Sequence, residues 1–153
     1  MARKADAESS KMSGGTRIRK VSRFTVEPST SALSTVREFI RTSLRPFTAD
    51  EPVVFDIVAA THEAAKNAME HNPGSESPVD VICEVRDDSV VVEVCDRGSG
   101  FDPGILPPEP PDPTLPAGRG LYLIYCLMDR VEAETGVGGT RVRMQKQLVP
   151  DPR

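Results

Sequence analysis

Residues 79–96, VDVICEVRDDSVVVEVCD, constrain this chain more than any other stretch. Two alternating runs, 79–86 and 89–95, place apolar residues, mostly Val, at every second position. That two-residue period is the mark of a strand with one face in a core. Asp87-Asp88 between the runs reads as a hairpin turn. A sheet built on such a hairpin has an apolar face that a second layer must cover.

The rest of the chain supplies that layer. Ile18, Val21, Phe24 and Val26 interleave imperfectly with Arg and Ser, which predicts a strand over 17–27. Leu33, Val36, Phe39, Ile40 and Leu44 recur at helical spacing after Ser29 or Thr30 as a cap, and Pro46 ends that helix. A second helix is expected from Asp50, an N-cap with Pro52 in the first turn, to about His71. Seven of the 14 prolines lie in 101–117, where neither helix nor sheet interior can form. GLYLIYCLMDRV then predicts a buried helix, and VEAETGVGGTRVRMQKQL a closing hairpin that turns at GVGG. Strand, helix, helix, hairpin, loop, helix and hairpin imply an α+β two-layer sandwich. Residues 1–15, small and polar, are expected to be a disordered tail ahead of one domain over 16–149.

Composition narrows the function. A net charge of −4 argues against nucleic acid as the main partner. The basic stretches RIRKVSR and RVRMQK alternate with apolar residues and read as solvent faces of strands. No run is apolar and long enough to span a membrane, and the N-terminus lacks the apolar core of a signal peptide. Cys83, Cys95 and Cys126 lie in apolar stretches and are expected as buried free thiols in a reducing cytoplasm.

Three constellations carry chemistry. Glu63, Asn67 and His71 recur at i, i+4 and i+8, on one flank of the second helix beside its apolar stripe. Alone, such a ladder also suits a solvated face. A carboxylate there can take a proton from a hydroxyl, and an Asn carbonyl is a hard oxygen suited to Mg²⁺. Asp96 closes a strand before Gly98 and Gly100. An ionised Asp only accepts hydrogen bonds, so it suits an exocyclic amine, although a G-x-G also makes ordinary turns. Gly118 and Gly120 open a helix whose free N–H groups favour phosphate, or else form a simple loop-to-helix junction. No Walker A loop is present.

In this order the motifs resemble the GHKL ATPases, and among them the small bacterial anti-sigma factor serine kinases. HEAAKNAMEHN is similar to the N-box, DRGSGFDP to the first glycine box, GRGLYLIYCLMDRV to the second, and GGTRVRMQKQL to the terminal strand. The resemblance covers about residues 17–148. It implies a Bergerat/GHKL fold: a mixed, mainly antiparallel sheet with helices on one face. It implies ATP and Mg²⁺ as ligands, with Glu63 as general base and Asn67 on the metal. Asp96 would meet the adenine amino group, with Gly98 and Gly100 shaping the pocket and Thr140 completing it. Gly118, Arg119, Gly120 and Leu121 would meet the phosphates, and 101–117 would be the ATP lid. His71 sits too late in the N-box to be a phosphoacceptor.

Two features depart from the family. The first box has Arg97 where many members have Asn, and no basic residue precedes Arg119 in the lid. The second departure leaves open which side chain neutralises the γ-phosphate. The implied activity is phosphorylation of a STAS-type anti-anti-sigma protein, with sequestration of a sigma factor by the free kinase and a homodimeric assembly. The alternative is an ATP-holding switch that sequesters a partner without phosphoryl transfer. Glu63 beside Asn67 favours the kinase.

Overall fold

The 79–96 hairpin stands at the centre of a single sheet. The computed structural model describes residues 2–8, 12–13, 16–70, 77–97, 119–136 and 138–148. The strands are β1 (Ala2–Glu8), β2 (Met12–Ser13), β3 (Thr16–Val26), β4 (Val79–Arg86), β5 (Ser89–Asp96), β6 (Arg130–Gly136) and β7 (Gly139–Gln147). The helices are α1 (Ala32–Leu44), α2 (Glu51–Glu70) and α3 (Arg119–Leu127). The sheet order is β1-β3-β4-β5-β7-β6, with β2 paired to β3 off this path.

Every pairing among the described strands is antiparallel, so the expected mixed sheet is corrected to a wholly antiparallel one. Two helices in succession, α1 and α2, return the chain to the end of the sheet where β3 finished, so β4 runs opposite to β3. Among the described residues α3 alone lies between β5 and β6; those strands run parallel to each other, and β7 inserts between them and pairs antiparallel with both.

A second correction concerns the N-terminus. The tail expected to be disordered forms β1, registered on β3 from Ala2↔Val26 to Glu8↔Lys20, and β2, with Met12 opposite Arg17. The strand edge of β3 offers a row of N–H and C=O groups, and these pair with a backbone whatever its side chains. A polar composition therefore says little about such a strand.

The imperfect alternation of β3 has a structural cause. Its register with β4 shifts between Ile18 and Lys20, a bulge that reverses the faces on either side. Phe24 and Val26 oppose Val81 and Val79 on the helix side, whereas Ile18 opposes Arg86 on the other face.

The core lies between sheet and helices. It joins Phe24 and Val26 with Val79, Val81, Val90, Val92, Val94, Val142 and Met144 beneath α1, α2 and α3. α1 contributes Val36, Phe39, Ile40 and Leu44, and the Phe39 ring stacks on Phe24 with centroids 5.1 Å apart. Its N-cap is Ser31, two residues or one beyond the caps expected, and that side chain makes no capping hydrogen bond. α1 stops at Leu44, just before Arg45-Pro46. Ile40 is fully buried, so Ile40→Ala should cost about 2–5 kcal/mol in urea unfolding through lost burial and a residual cavity. A change below 1 kcal/mol, roughly what a surface site shows, would contradict this core.

α2 begins as the sequence suggests, with the Val53 N–H donating to Asp50 Oδ1 at 3.4 Å. Its buried face is built largely of Ala60, Ala64, Ala65 and Ala68, whose short side chains let the helix lie close to the sheet. α3 departs from expectation. Ile124 and Met128, just beyond its end, are buried, but Leu123, Tyr125 and Cys126 are exposed, so the helix is half-covered rather than buried. Only a 3.6-residue stripe of a surface helix can face one sheet, however apolar the remainder is. Of the cysteines, Cys83 is buried and its thiol pushed up to about 12 by that burial, Cys95 is half-buried, and Cys126 is exposed. Among the described residues no helix is long and apolar enough to cross a membrane.

Candidate functional site

β5 and β7 are central strands, and their register brings two of the expected site residues together. Asp96, the last residue of β5, lies directly opposite Thr140, the second residue of β7. Both continue the helix-facing rows of their strands, after Val94 and before Val142, and both are buried. Burial of an acceptor-only carboxylate and a hydroxyl at a sheet end is costly unless they are hydrogen-bonded, and such groups mark places built to receive donors. The Thr140 hydroxyl lies 3.1 Å from that of Thr135, across the β6–β7 pair. A groove of about 360 Å³ opens here, lined by Cys95, Asp96, Thr135, Gly136, Gly139 and Thr140.

Gly139 gives this corner its shape. Its φ of +117° is one that side-chain-bearing residues rarely adopt. A Cβ on it would stand 1.6 Å from the Asp96 carbonyl oxygen. The hairpin can therefore lie against the end of β5 only with glycine at this position. Sequence reasoning placed the turn at GVGG but missed Gly139 as part of the site. Its adjacency to Thr140 was the available signal.

Arg97, the residue after Asp96, turns away from this corner. Its Nε and Nη2 donate to the two carboxylate oxygens of Asp80 on β4, each at 2.8 Å. The Thr25 hydroxyl donates to the same carboxylate at 2.7 Å. Asp80 and Cys95 are register partners on the face away from the helices, so this bidentate pair fastens the exit of β5 from behind.

The Glu63–Asn67 half of α2 heads to the same end of the sheet. Lys146, near the end of β7, pairs with Asp56 on the first half of α2 at 3.1 Å and donates to the Leu127 carbonyl at 2.7 Å. After α2 the chain re-enters the sheet at Val79, which lies opposite Asp96. The second half of α2, with Glu63 and Asn67, thus runs from the Lys146 end toward the Asp96–Thr140 end. Both residues are half-buried at the margin of the packed face, not on an open solvent face. His62 beside them accepts a hydrogen bond on Nδ1 from Arg37 Nη1 at 2.8 Å. Burial and then the Arg37 charge hold its pKa below the usual histidine value, which keeps the ring neutral and able to accept.

Arg119 and Gly120 open α3, as the second glycine box requires, and Leu121 packs partly against the core. Gly98, Gly100, Gly118, the 101–117 segment and His71 lie outside the described residues. No cluster of three His, Cys, Asp or Glu side chains suited to a metal occurs among the described residues. A wider groove of about 490 Å³ lies on the outer sheet face, among Arg86, Asp88, Arg130, Glu132 and Arg143. It contains none of the expected site residues, and Arg130 and Glu132 within it form an ion pair at 3.1 Å.

Comparison with known proteins agrees with this fold. A family model described as a histidine kinase-like ATPase domain matches residues 26–146. The serine-protein kinase RsbW of Bacillus velezensis is 36% identical over 103 residues, which cover 61% of this chain and 64% of that protein. RsbW of Oceanobacillus iheyensis is 27% identical over 106 residues, covering 63% of this chain and 66% of the relative. The chain thus spans slightly under two thirds of the length of these relatives. The crystal structure of the RsbU and RsbW domains of Rv1364c from Mycobacterium tuberculosis superposes with a TM-score of 0.60 at 24% identity. That match covers 82% of this chain and 33% of the other, and supports the fold.

Proposed function

Because this chain belongs to the histidine kinase-like ATPase domain family, we propose that it is a cytoplasmic, ATP-dependent protein serine kinase that phosphorylates a STAS-type antagonist and, when free of it, sequesters a sigma factor. The observation that carries the reading is the buried Asp96–Thr140 pair at one end of the central strands, with the Glu63–Asn67 margin of α2 directed to that same end. Similarity to two serine-protein kinases supports the reaction class.

Each residue has a task that its environment suits. Asp96, acceptor-only and buried, would receive the adenine amino group, and the Thr140 hydroxyl beside it would take a further base contact. Gly98 and Gly100 would leave room for the base next to the main chain. Backbone N–H groups at the start of α3, with Gly118, Arg119, Gly120 and Leu121, would hold phosphate oxygens. Asn67 would hold Mg²⁺, which when bound offsets phosphate charge. Glu63, one turn earlier on the same flank, would accept the proton of the acceptor serine hydroxyl. Residues 101–117 would form the lid that excludes water.

The direct test is incubation with ATP and candidate antagonists, followed by mass-spectrometric search for phosphoserine. Absence of phosphoserine on every antagonist that binds would leave only the switch reading. Asp96→Asn should weaken ATP binding in calorimetry by about tenfold to a hundredfold, as expected for loss of a hydrogen bond to a charged acceptor. Unchanged affinity would remove Asp96 from the pocket.

A further inference from the structure

Among the described residues, three large apolar side chains stand well exposed, on α2 and α3: Phe55 at 67%, Leu123 at 41% and Tyr125 at 41%. Neither helix needs them for the core, which the opposite faces already supply through Ile57, Ala60, Ala64 and Ile124. Phe55 and Leu123 line one groove of about 250 Å³ together with Val58 and Ala59. Arg37 and Arg41, one turn apart on α1, form its other wall. Neither arginine is in an ion pair with a carboxylate among the described residues, and Arg37 is held in place by neutral His62. Glu63 lines the same groove. An apolar floor, two guanidinium groups outnumbering the single Glu63 carboxylate, and the proposed base itself thus line one groove.

We propose that this groove docks the acceptor protein, through a helical segment whose apolar anchors enter between Phe55 and Leu123 and whose flanking carboxylates meet Arg37 and Arg41. The inference rests on the kinase reading and adds to it the chemistry of the partner surface. Apolar anchors bury against Phe55 and Leu123, while planar guanidinium groups favour carboxylates and set the orientation of the segment. The continuity with Glu63 means that a partner seated here has its neighbouring chain beside the residue proposed to take the serine proton.

The test uses the full chain and fluorescently labelled, helix-forming peptides read by anisotropy. One peptide carries Leu residues one turn apart flanked by Glu, a second has Lys for each Glu, and a third has Ala for each Leu. The wild type should bind the first peptide roughly tenfold or more tightly than the other two, a difference of about 1.4 kcal/mol. Phe55→Asp should lose that preference, and so should Arg41→Glu. The double variant Arg37→Glu/Arg41→Glu should instead favour the Lys peptide. Phe55 and Arg41 are exposed, so circular dichroism and ATP affinity should not change in those variants. Equal binding of the three peptides, or no charge-swap preference in the double variant, overturns the proposal. Binding of the wild type to anionic vesicles that Phe55→Asp abolishes, without peptide selectivity, would make the face a membrane contact. A fall in oligomeric mass on Phe55→Asp would make it a contact between copies. Either result also overturns it. Failure of the wild type to bind ATP would sink the kinase reading instead, whatever the peptides do.

Discussion

Glu63→Ala should slow phosphorylation of the acceptor protein by about 10²–10⁴-fold, the usual worth of a positioned general base, while ATP binds as before. Glu63 lies one helical turn before Asn67 on the half-buried margin of α2, so the proposed base and the proposed metal ligand share a flank about 6 Å apart along the axis. The residues proposed to hold adenine and phosphates lie on other elements, β5, β7 and the start of α3, and truncating Glu63 removes no group from them. The neighbouring side chains also remain: His62 stays bonded to Arg37, and Ala64 stays in the core. Single-turnover phosphoserine formation, measured beside an ATP titration, separates the two effects. A variant that transfers phosphate at the wild-type rate would place the base elsewhere. A variant that loses ATP binding in parallel would make Glu63 a binding residue.

Gly139→Ala should destabilise the fold by about 3 kcal/mol or more and abolish ATP binding in the fraction that remains folded. Two costs add. The residue's φ of +117° is strained for any side chain, and the new Cβ would meet the Asp96 carbonyl oxygen and carbon at 1.6 and 2.7 Å. Those atoms belong to backbone in a central strand, so the clash cannot be relieved by a rotamer change. The hairpin must move off the end of β5, which opens the Asp96–Thr140 register. Gly138→Ala is the control, since nothing lies within 4 Å of a Cβ there and its φ is not positive. Urea unfolding of the pair should show Gly138→Ala close to wild type. Equal stability of the two variants would mean that the close approach of Gly139 to Asp96 has no energetic weight.

Local signals were sufficient for most elements. The β4–β5 hairpin was legible because its alternation is regular on both strands, and α2 because Asp50 and Pro52 announce its start. α1 was legible in its apolar face but not in its cap, since Ser29, Thr30 and Ser31 offer the same chemistry in succession. The Glu63–Asn67 flank and Asp96 were legible as chemistry, because residue type and spacing carry that information directly. β1 was not legible, because backbone pairing to the edge of β3 leaves no mark on side-chain pattern. The exposed face of α3 was also missed: a run as apolar as GLYLIYCLM suggests burial on all sides, and only the placement of α3 beside α2 and β6 shows that one side stays open.

By itself the sequence determined which segments from β3 onward are strands and helices, the two-layer class, and the residue types able to meet an amine, a divalent cation and a hydroxyl proton. These follow from periodicity and from the fixed chemistry of single side chains, which do not depend on distant parts of the chain. Tertiary structure alone decided that β7 inserts between β5 and β6, which sets Thr140 opposite Asp96. It decided that a bulge turns Ile18 to the outer face, that Arg97 belongs to Asp80 rather than to the pocket, and that Gly139 must be glycine. Each of these depends on register between segments far apart in the chain. Register is set by the sum of packing over a whole face, so no local stretch of residues contains it.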